Sequence, residues 1–359
     1  MRRVKYVIRF IWFATILFVA LGLLRRGEVV RNVFRDTLAS CFASLLPVLF
    51  PYMVLARLIV SLDLFSPFVR LLRLDRKLHV PSALPVVWLL GNLCGYPIGA
   101  AECAALVRQN KLSAEHAGVL CALASHGNPV YIVQIAGILW WKSMSFGIGL
   151  LLAQLCFTTL VTTFILFRRR AERESTGGVR QNNAISGAGA FSAAIRDSSM
   201  ACVAVCGSIV FFSIVIALLP PTHPVLSALL AAILEFTSGV EAGALQGDIA
   251  GAAITGFALG FGGLSVLMQV AERTDGTGIS LVPTILMKCA DGVWMASAAA
   301  LLYRLRTVYP ASAVWNPMET SNPWIVGWAI FTLGLLCRAG SFWKKAEIFR
   351  KSRKISENT

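Results

Sequence analysis

Residues 85–136 read PVVWLLGNLCGYPIGAAECAALVRQNKLSAEHAGVLCALASHGNPVYIVQIA, and residues 224–271 read PVLSALLAAILEFTSGVEAGALQGDIAGAAITGFALGFGGLSVLMQVA. Each stretch starts at a proline and runs through a short apolar segment to a break, GYPIG at 95–99 or EFTSG at 235–239. A small-residue segment leads back, and a second apolar helix follows that is interrupted by SHGNP or GFGGLS. Gly127 then falls opposite Gly262 and Gln134 opposite Gln269, the Gly and Gln of each half standing seven positions apart. Paired apolar segments broken by Gly or Pro in two halves of a chain point to a secondary transporter with its site at the repeat interface.

The rest of the chain fits a membrane setting. Its 359 residues are 57% hydrophobic and 14% charged, with mean hydropathy +0.70. Such values lie outside the range of soluble domains. A full span needs roughly 20 apolar residues. Eight segments qualify: about 7–24, 37–61, 115–140, 145–167, 193–219, 249–271, 281–303 and 324–340. The segments at about 84–107 and 224–246 are broken at their centres, and each half is too short to cross. They read as re-entrant hairpins, because irregular backbone at membrane depth must be buried in protein or line a cavity.

The positive-inside rule orients this drawing. With the N-terminus inside, the cytoplasmic segments carry 22 Lys and Arg and the opposite side carries 7. Arg25, Arg26, Arg31 and Arg35 are the main dissent. Both termini are then cytoplasmic, the first hairpin enters from the cytoplasm and the second from the far side. The fold expected is an all-α polytopic membrane protein with an inverted-topology repeat, two re-entrant hairpins and two interrupted helices. Residues 1–36 form an N-terminal membrane helix and loop, 37–167 the first repeat and 168–192 a basic cytoplasmic linker. Residues 193–303 form the second repeat, and 304–359 the last membrane helix and a basic tail. The stretch 63–80 reads as an interfacial amphipathic helix. The N-terminal run lacks a small-x-small cleavage site and is followed by RRGEVVR, so it reads as a retained first helix rather than a signal peptide.

Several function classes drop out. The net charge of +15 sits in short clusters between apolar spans, which suits topology and anionic lipid head groups rather than nucleic acid. None of the nine cysteines forms CxxC or stands near a histidine at metal-ligand spacing, so neither a metal nor a disulfide is expected. No GxxxxGK[ST], HExxH or GxSxG occurs, and the reading is a non-enzyme without a cofactor. The partners are a small-molecule solute and the lipid bilayer; a homo-oligomer is compatible with the sequence.

The candidate solute contacts lie at the four breaks. Gly95, Tyr96, Pro97 and Gly99 line the first tip, and Glu235, Thr237, Ser238 and Gly239 the second. Half-helix ends there offer backbone N–H groups to anions and C=O groups to cations. His126, Gly127, Asn128 and Pro129 interrupt one helix, and Gly262, Gly263 and Ser265 its counterpart. Gln269 offers a donor and an acceptor. Lys288, a point charge suited to a carboxylate, stands at i and i+3 with Asp291, which is its own candidate partner. For each break the plain alternative is helix packing, since Gly is common in membrane helices.

At LLPVLFPYMVLARL (45–58), GYPIGA (95–100), EFTSG (235–239) and GFGGLSVLMQ (260–269) the chain resembles the sporulation integral membrane proteins of the YlbJ type. These belong to the nucleoside-recognition Gate-domain group, and the resemblance covers roughly residues 37–303. It implies a polytopic protein of endospore formation that moves dipicolinic acid across the outer forespore membrane. It also implies an architecture like that of concentrative nucleoside transporters, whose two hairpins and two unwound helices enclose the solute. Carried over by position, the solute lies near Gly95–Gly99, His126–Pro129, Glu235–Gly239 and Gly262–Ser265. The first tip departs from the expected pattern, with Ile98 where a hydroxyl residue is expected after Pro97. Its polar contribution then rests on backbone and Tyr96. Dipicolinate is a planar dianion; helix N-termini, Asn128, Ser265, Gln269 and Lys288 suit it, and the hairpin glutamates Glu102, Glu235 and Glu241 do not. Two other readings stay open: a nucleoside-like or cationic solute, and a non-transporting membrane scaffold of a spore or envelope complex.

Overall fold

The computed structural model describes residues 2–62, 83–96, 98–110, 112–169, 187–220 and 222–308. The interfacial segment at 63–80, most of the linker, the span at 324–340 and Pro97 lie outside them. Every regular element among the described residues is helical. Five helices are long and apolar enough to cross a membrane: Gly27–Ile59, Met144–Phe164, Gly189–Leu218, Ile249–Thr274 and Leu281–Arg306. Large apolar side chains such as Phe42, Phe164, Met200, Val203 and Val293 point outward from these spans, as lipid contact requires. The chain is an all-α integral membrane protein.

Helix α1 (Arg2–Arg25) leads into α2 (Gly27–Ser40), which passes through a wide π turn at Cys41–Leu45 into α3 (Leu46–Ser61). Residues 27–36 are therefore helical, where the sequence reading puts a loop. Arg31 and Arg35 sit on this helix, not on a free connection, and Val29, Val33 and Phe34 give it an apolar stripe. The π turn lies just before Pro47 and Pro51, whose missing N–H groups disturb the ordinary ladder.

Both expected hairpins form helix pairs. The first is α4 (Ala83–Cys94) and α5 (Ile98–Arg108); the second is α10 (Pro224–Leu234) and α11 (Phe236–Gln246). Both interrupted helices are split. The first gives α6 (Ala114–Leu123) and a π-helical α7 (Tyr131–Trp140). The second gives α12 (Ile249–Phe261) and α13 (Gly263–Thr274). Long helices α8 (Met144–Arg169), α9 (Gly187–Leu218) and α14 (Leu281–Val308) complete the bundle. The first interrupted segment is absent from the five long spans because the break at 124–128 leaves each half too short.

Residue pairings give the helix directions. Met53 meets Cys202 at 3.7 Å between sulfurs, Cys41 meets Cys206 and Gly22 meets Leu218, so α3 and α9 run antiparallel. Thr284 donates to the Gly118 carbonyl at 2.7 Å and Lys288 to that of Ser125 at 2.8 Å, so α6 and α14 run parallel. Gly256 lies against Met295 and Gly260 against Asp291, so α12 and α14 run antiparallel. Gly149 faces Leu302, and the Trp294 indole N–H donates to the Ala153 carbonyl at 2.9 Å, so α8 also opposes α14. At Gly256 a Cβ would strike the Met295 carbonyl oxygen, so only glycine permits this approach.

Candidate solute chamber at the helix breaks

The two tips are built differently. At the first, Gly95 adopts a left-handed φ of 71° and ends α4, which frees the chain to turn at Tyr96. At the second, the break expected at 235–239 narrows to Glu235, whose extended backbone (φ −147°, ψ 123°) separates α10 from α11. Thr237, Ser238 and Gly239 are already in the first turn of α11. Glu235 caps that turn: its carboxylate accepts from the Ser238 N–H at 2.7 Å and from the Thr237 hydroxyl. The N-terminus of α11 is thus occupied by a carboxylate of its own.

Each tip docks on the break in its own half. The Tyr96 N–H donates to the His126 carbonyl at 3.0 Å, and a Cβ on Gly95 would come within 2.7 Å of the same oxygen. Gly91 and Gly99 press on the Ala124 backbone beside it. In the other half a Cβ on Gly263 would lie 3.0 Å from the Phe236 nitrogen and 3.1 Å from Glu235 Cα. Gly262 and Gly263 both have left-handed φ, 82° and 75°, a consecutive pair that residues with a Cβ rarely adopt. Asn128 caps the helix after the first break, accepting from the Tyr131 N–H at 2.8 Å, and Pro129 takes the first helical position, where its missing N–H costs nothing.

The halves then meet. The Phe236 ring lies 5.1 Å from Tyr96, edge to face, and 5.0 Å from Tyr131. Lys288 on α14 reaches both breaks, with Nζ on the Ser125 carbonyl and Cε about 3.6 Å from the Cβ position of Gly262. Asp291 lies one turn further on, 3.6 Å from Lys288 Nζ and 3.4 Å from His126 Nδ1. The sequence reading pairs Lys288 with Asp291; the structure adds His126 to them. Gln154 donates to the Gly127 carbonyl at 3.3 Å.

Around this meeting point many buried polar atoms have no hydrogen-bond partner. They include the hydroxyls of Tyr96, Tyr131, Ser125 and Ser265, both His126 ring nitrogens, both Asp291 carboxylate oxygens and Gln154 Oε1. Native interiors leave few such groups, and clusters of them call for water or a ligand. Gln269 is half-buried further along α13, and its Oε1 is also unsatisfied. Of the hairpin glutamates only Glu235 is fully buried; Glu102 is half-buried and Glu241 exposed. Phe236 falls within the stretch 235–239 expected near the solute, whereas Tyr131 and Gln154 were not singled out in the sequence, because each sits in an apolar run that reads as packing. The Asn128 cap three residues before Tyr131 was the available signal.

An apolar groove of about 730 Å³ lies elsewhere, between α2–α3 and α9, lined by Phe42, Leu46, Phe50, Cys202 and Val203 among others. It contains none of the unsatisfied polar groups.

These features define a class: a polytopic helical membrane protein whose broken helices converge on a cluster of buried polar groups. Over 372 aligned residues the chain is 24% identical to the sporulation integral membrane protein YlbJ of Bacillus subtilis (strain 168), covering 87% of this chain and 88% of that protein. The match agrees with the resemblance read from the motifs. No family model and no solved structure matches the chain.

Proposed function

We propose that the chain is a secondary transporter or facilitator of a small anionic solute, dipicolinic acid, acting at the outer forespore membrane. The observation that carries this reading is the set of partnerless buried polar groups where two hairpin tips and two helix breaks meet. A scaffold has no need of unsatisfied hydroxyls, imidazole and carboxylate in one interior place. Lys288 supplies a cation beside that chamber, and the similarity to a sporulation membrane protein supports the setting.

The inverted repeat belongs to the same proposal. Span 37–61 corresponds in sequence to 193–219, 115–140 to 249–271, and 145–167 to 281–303. The first and third of these pairs run antiparallel to each other, and α6 and α12 take opposite directions relative to α14. Three opposed pairs are what inversion requires. Rocking of the halves about the chamber is the transport step this architecture favours.

A nucleoside-like solute is the second reading. The Tyr96, Tyr131 and Ser265 hydroxyls and Gln154 Oε1 suit a neutral molecule rich in donors and acceptors. Flux of radiolabelled dipicolinate and of uridine into proteoliposomes separates the two. Saturable dipicolinate flux is the expected result. Uridine flux without dipicolinate flux would overturn the substrate, and no flux of either from a monodisperse protein would favour the scaffold.

A further inference from the structure

Lys288, Asp291 and His126 are each 1% exposed, deeper than any ordinary surface ion pair. A structural salt bridge at such depth holds only when it closes tightly and its remaining lone pairs are hydrogen-bonded. This one does neither. The ammonium stands 3.6 Å from the Asp291 carboxylate, and it spends a hydrogen bond on the Ser125 carbonyl across the bundle. The Asp291 oxygens and His126 nitrogens make no hydrogen bond of good geometry; their contacts are the long ones, Asp291 to Lys288 at 3.6 Å and to His126 Nδ1 at 3.4 Å.

The charge arithmetic is restrictive. With the imidazole neutral, Lys288 and Asp291 sum to zero. One proton on Asp291 leaves the ammonium without a counter-charge, and an uncompensated buried charge is strongly unfavourable. The lysine can then lose its own proton, or keep it by taking an anion beside the helix breaks as its counter-charge; an anionic solute supplies the second course. Lys288 is placed to meet it, because it touches both helix breaks. With Asp291 ionised, the same ammonium is already engaged and the carboxylate repels the anion. Proton and anion therefore favour each other's binding, and by linkage each raises the affinity for the other by the same factor.

We propose that Asp291 is the proton-binding group of a proton–anion symport, in which Lys288 passes from the carboxylate to the solute. This rests on the transport reading above. The proton is taken from water on the loading side, forms the O–H of the Asp291 carboxyl and returns to water on the other side. His126, 3.4 Å away with both nitrogens unpartnered, is the group positioned to relay it. The other titratable groups around the cluster are Glu235 at the second tip, Tyr96 and Tyr131 at the first tip and break, and the thiols Cys121 of α6 and Cys156 of α8; α12 brings none. Glu235 is already held by Thr237 and Ser238.

The test uses purified full-length protein in weak buffer near neutral pH with an indicator dye. Addition of dipicolinate to wild type is expected to take up about one proton per bound anion, and Asp291→Asn to abolish the uptake while Asp291→Glu restores it. Because Asp291→Asn strands Lys288 and risks misfolding, the wild-type proteoliposome decides independently. With the membrane potential clamped, dipicolinate accumulation should rise about tenfold for each pH unit of inward gradient. Dipicolinate binding without proton uptake, or accumulation indifferent to the gradient, would overturn the symport and leave transport standing. No binding and no flux of dipicolinate would overturn both.

Discussion

Glu235 is the residue at which the structure most changes what a mutation should do. Read from sequence, a glutamate at a hairpin tip is a candidate contact for solute, ion or proton. In the structure its carboxylate accepts from the Ser238 N–H at 2.7 Å and from the Thr237 hydroxyl, and it is 1% exposed. Glu235→Ala removes the cap, typically about 0.5–2 kcal/mol. It also strands the buried Thr237 hydroxyl, at about 1–3 kcal/mol where no other acceptor replaces the carboxylate. Together these predict a loss of about 2–5 kcal/mol for the alanine variant. Glu235→Gln keeps an oxygen acceptor for both donors and loses the charge, so its cost should stay under about 1 kcal/mol. The assay is the thermal midpoint in detergent beside dipicolinate exchange in proteoliposomes. Glutamine is expected to stay near wild type in both, and alanine to lose stability and exchange together. A well-folded glutamine variant without exchange would refute the capping argument and return Glu235 to the solute or the proton.

Three further outcomes follow from local geometry. Gly256→Ala drives a Cβ into the Met295 carbonyl and should lower the thermal midpoint by the equivalent of about 1–3 kcal/mol. Gly207→Ala, with nothing within 4 Å, should leave it unchanged or raise it slightly. Equal effects of the two would mean that the α12–α14 approach is looser than described. Tyr131→Phe deletes a buried hydroxyl that has no partner, so stability should hold, while half-saturation for the solute rises about two- to tenfold if the hydroxyl serves it; unchanged saturation would remove Tyr131 from the chamber's binding groups. Finally, a Tyr96→Cys/Phe236→Cys cross-link, made in a background lacking the exposed Cys289, should stop exchange until reductant is added. Full cross-linking with undiminished exchange would show that the tips need not part.

Much of the architecture was legible because its signals are backbone signals. Proline fixes φ and removes a donor, and glycine alone adopts left-handed φ freely, so the splits at 95, 124–128 and 262 could be read without tertiary context, while the one expected over 235–239 narrows to Glu235. The long apolar spans were legible from length and composition alone. The helix at 27–36 was missed because RRGEVVRNVFRD is charged enough to read as a connection, and its apolar stripe is useful only once α9 packs beside it. Side-chain roles fared differently. The i, i+3 spacing of Lys288 and Asp291 is visible on one helix, whereas His126 lies 165 positions before Asp291 in the chain and meets it only through folding. Caps were hidden for a related reason: whether Glu235 or Asn128 faces a solute or its own backbone depends on a turn geometry that sequence does not fix.

The contacts within each half and those between halves are of different kinds, and the difference bears on how the chamber opens. Hairpin and break are joined in each half by glycine approaches to backbone: Gly91, Gly95 and Gly99 on Ala124 and His126, and Gly263 on Glu235 and Phe236. Separating such surfaces exposes backbone at membrane depth, which the bilayer penalises. Near the chamber the halves meet through ring edges at 5.0 and 5.1 Å and through polar contacts of 2.8 and 3.4 Å made by Lys288 and Asp291. Rings can slide past one another at small cost, and the polar contacts are the ones whose strength depends on a proton. A hairpin and its break should therefore move as one body, and the seam between bodies runs through Phe236 and Lys288. Under the symport proposed above, a proton on Asp291 would weaken its contact with His126 across this seam, which would join loading of the site to loosening of the seam.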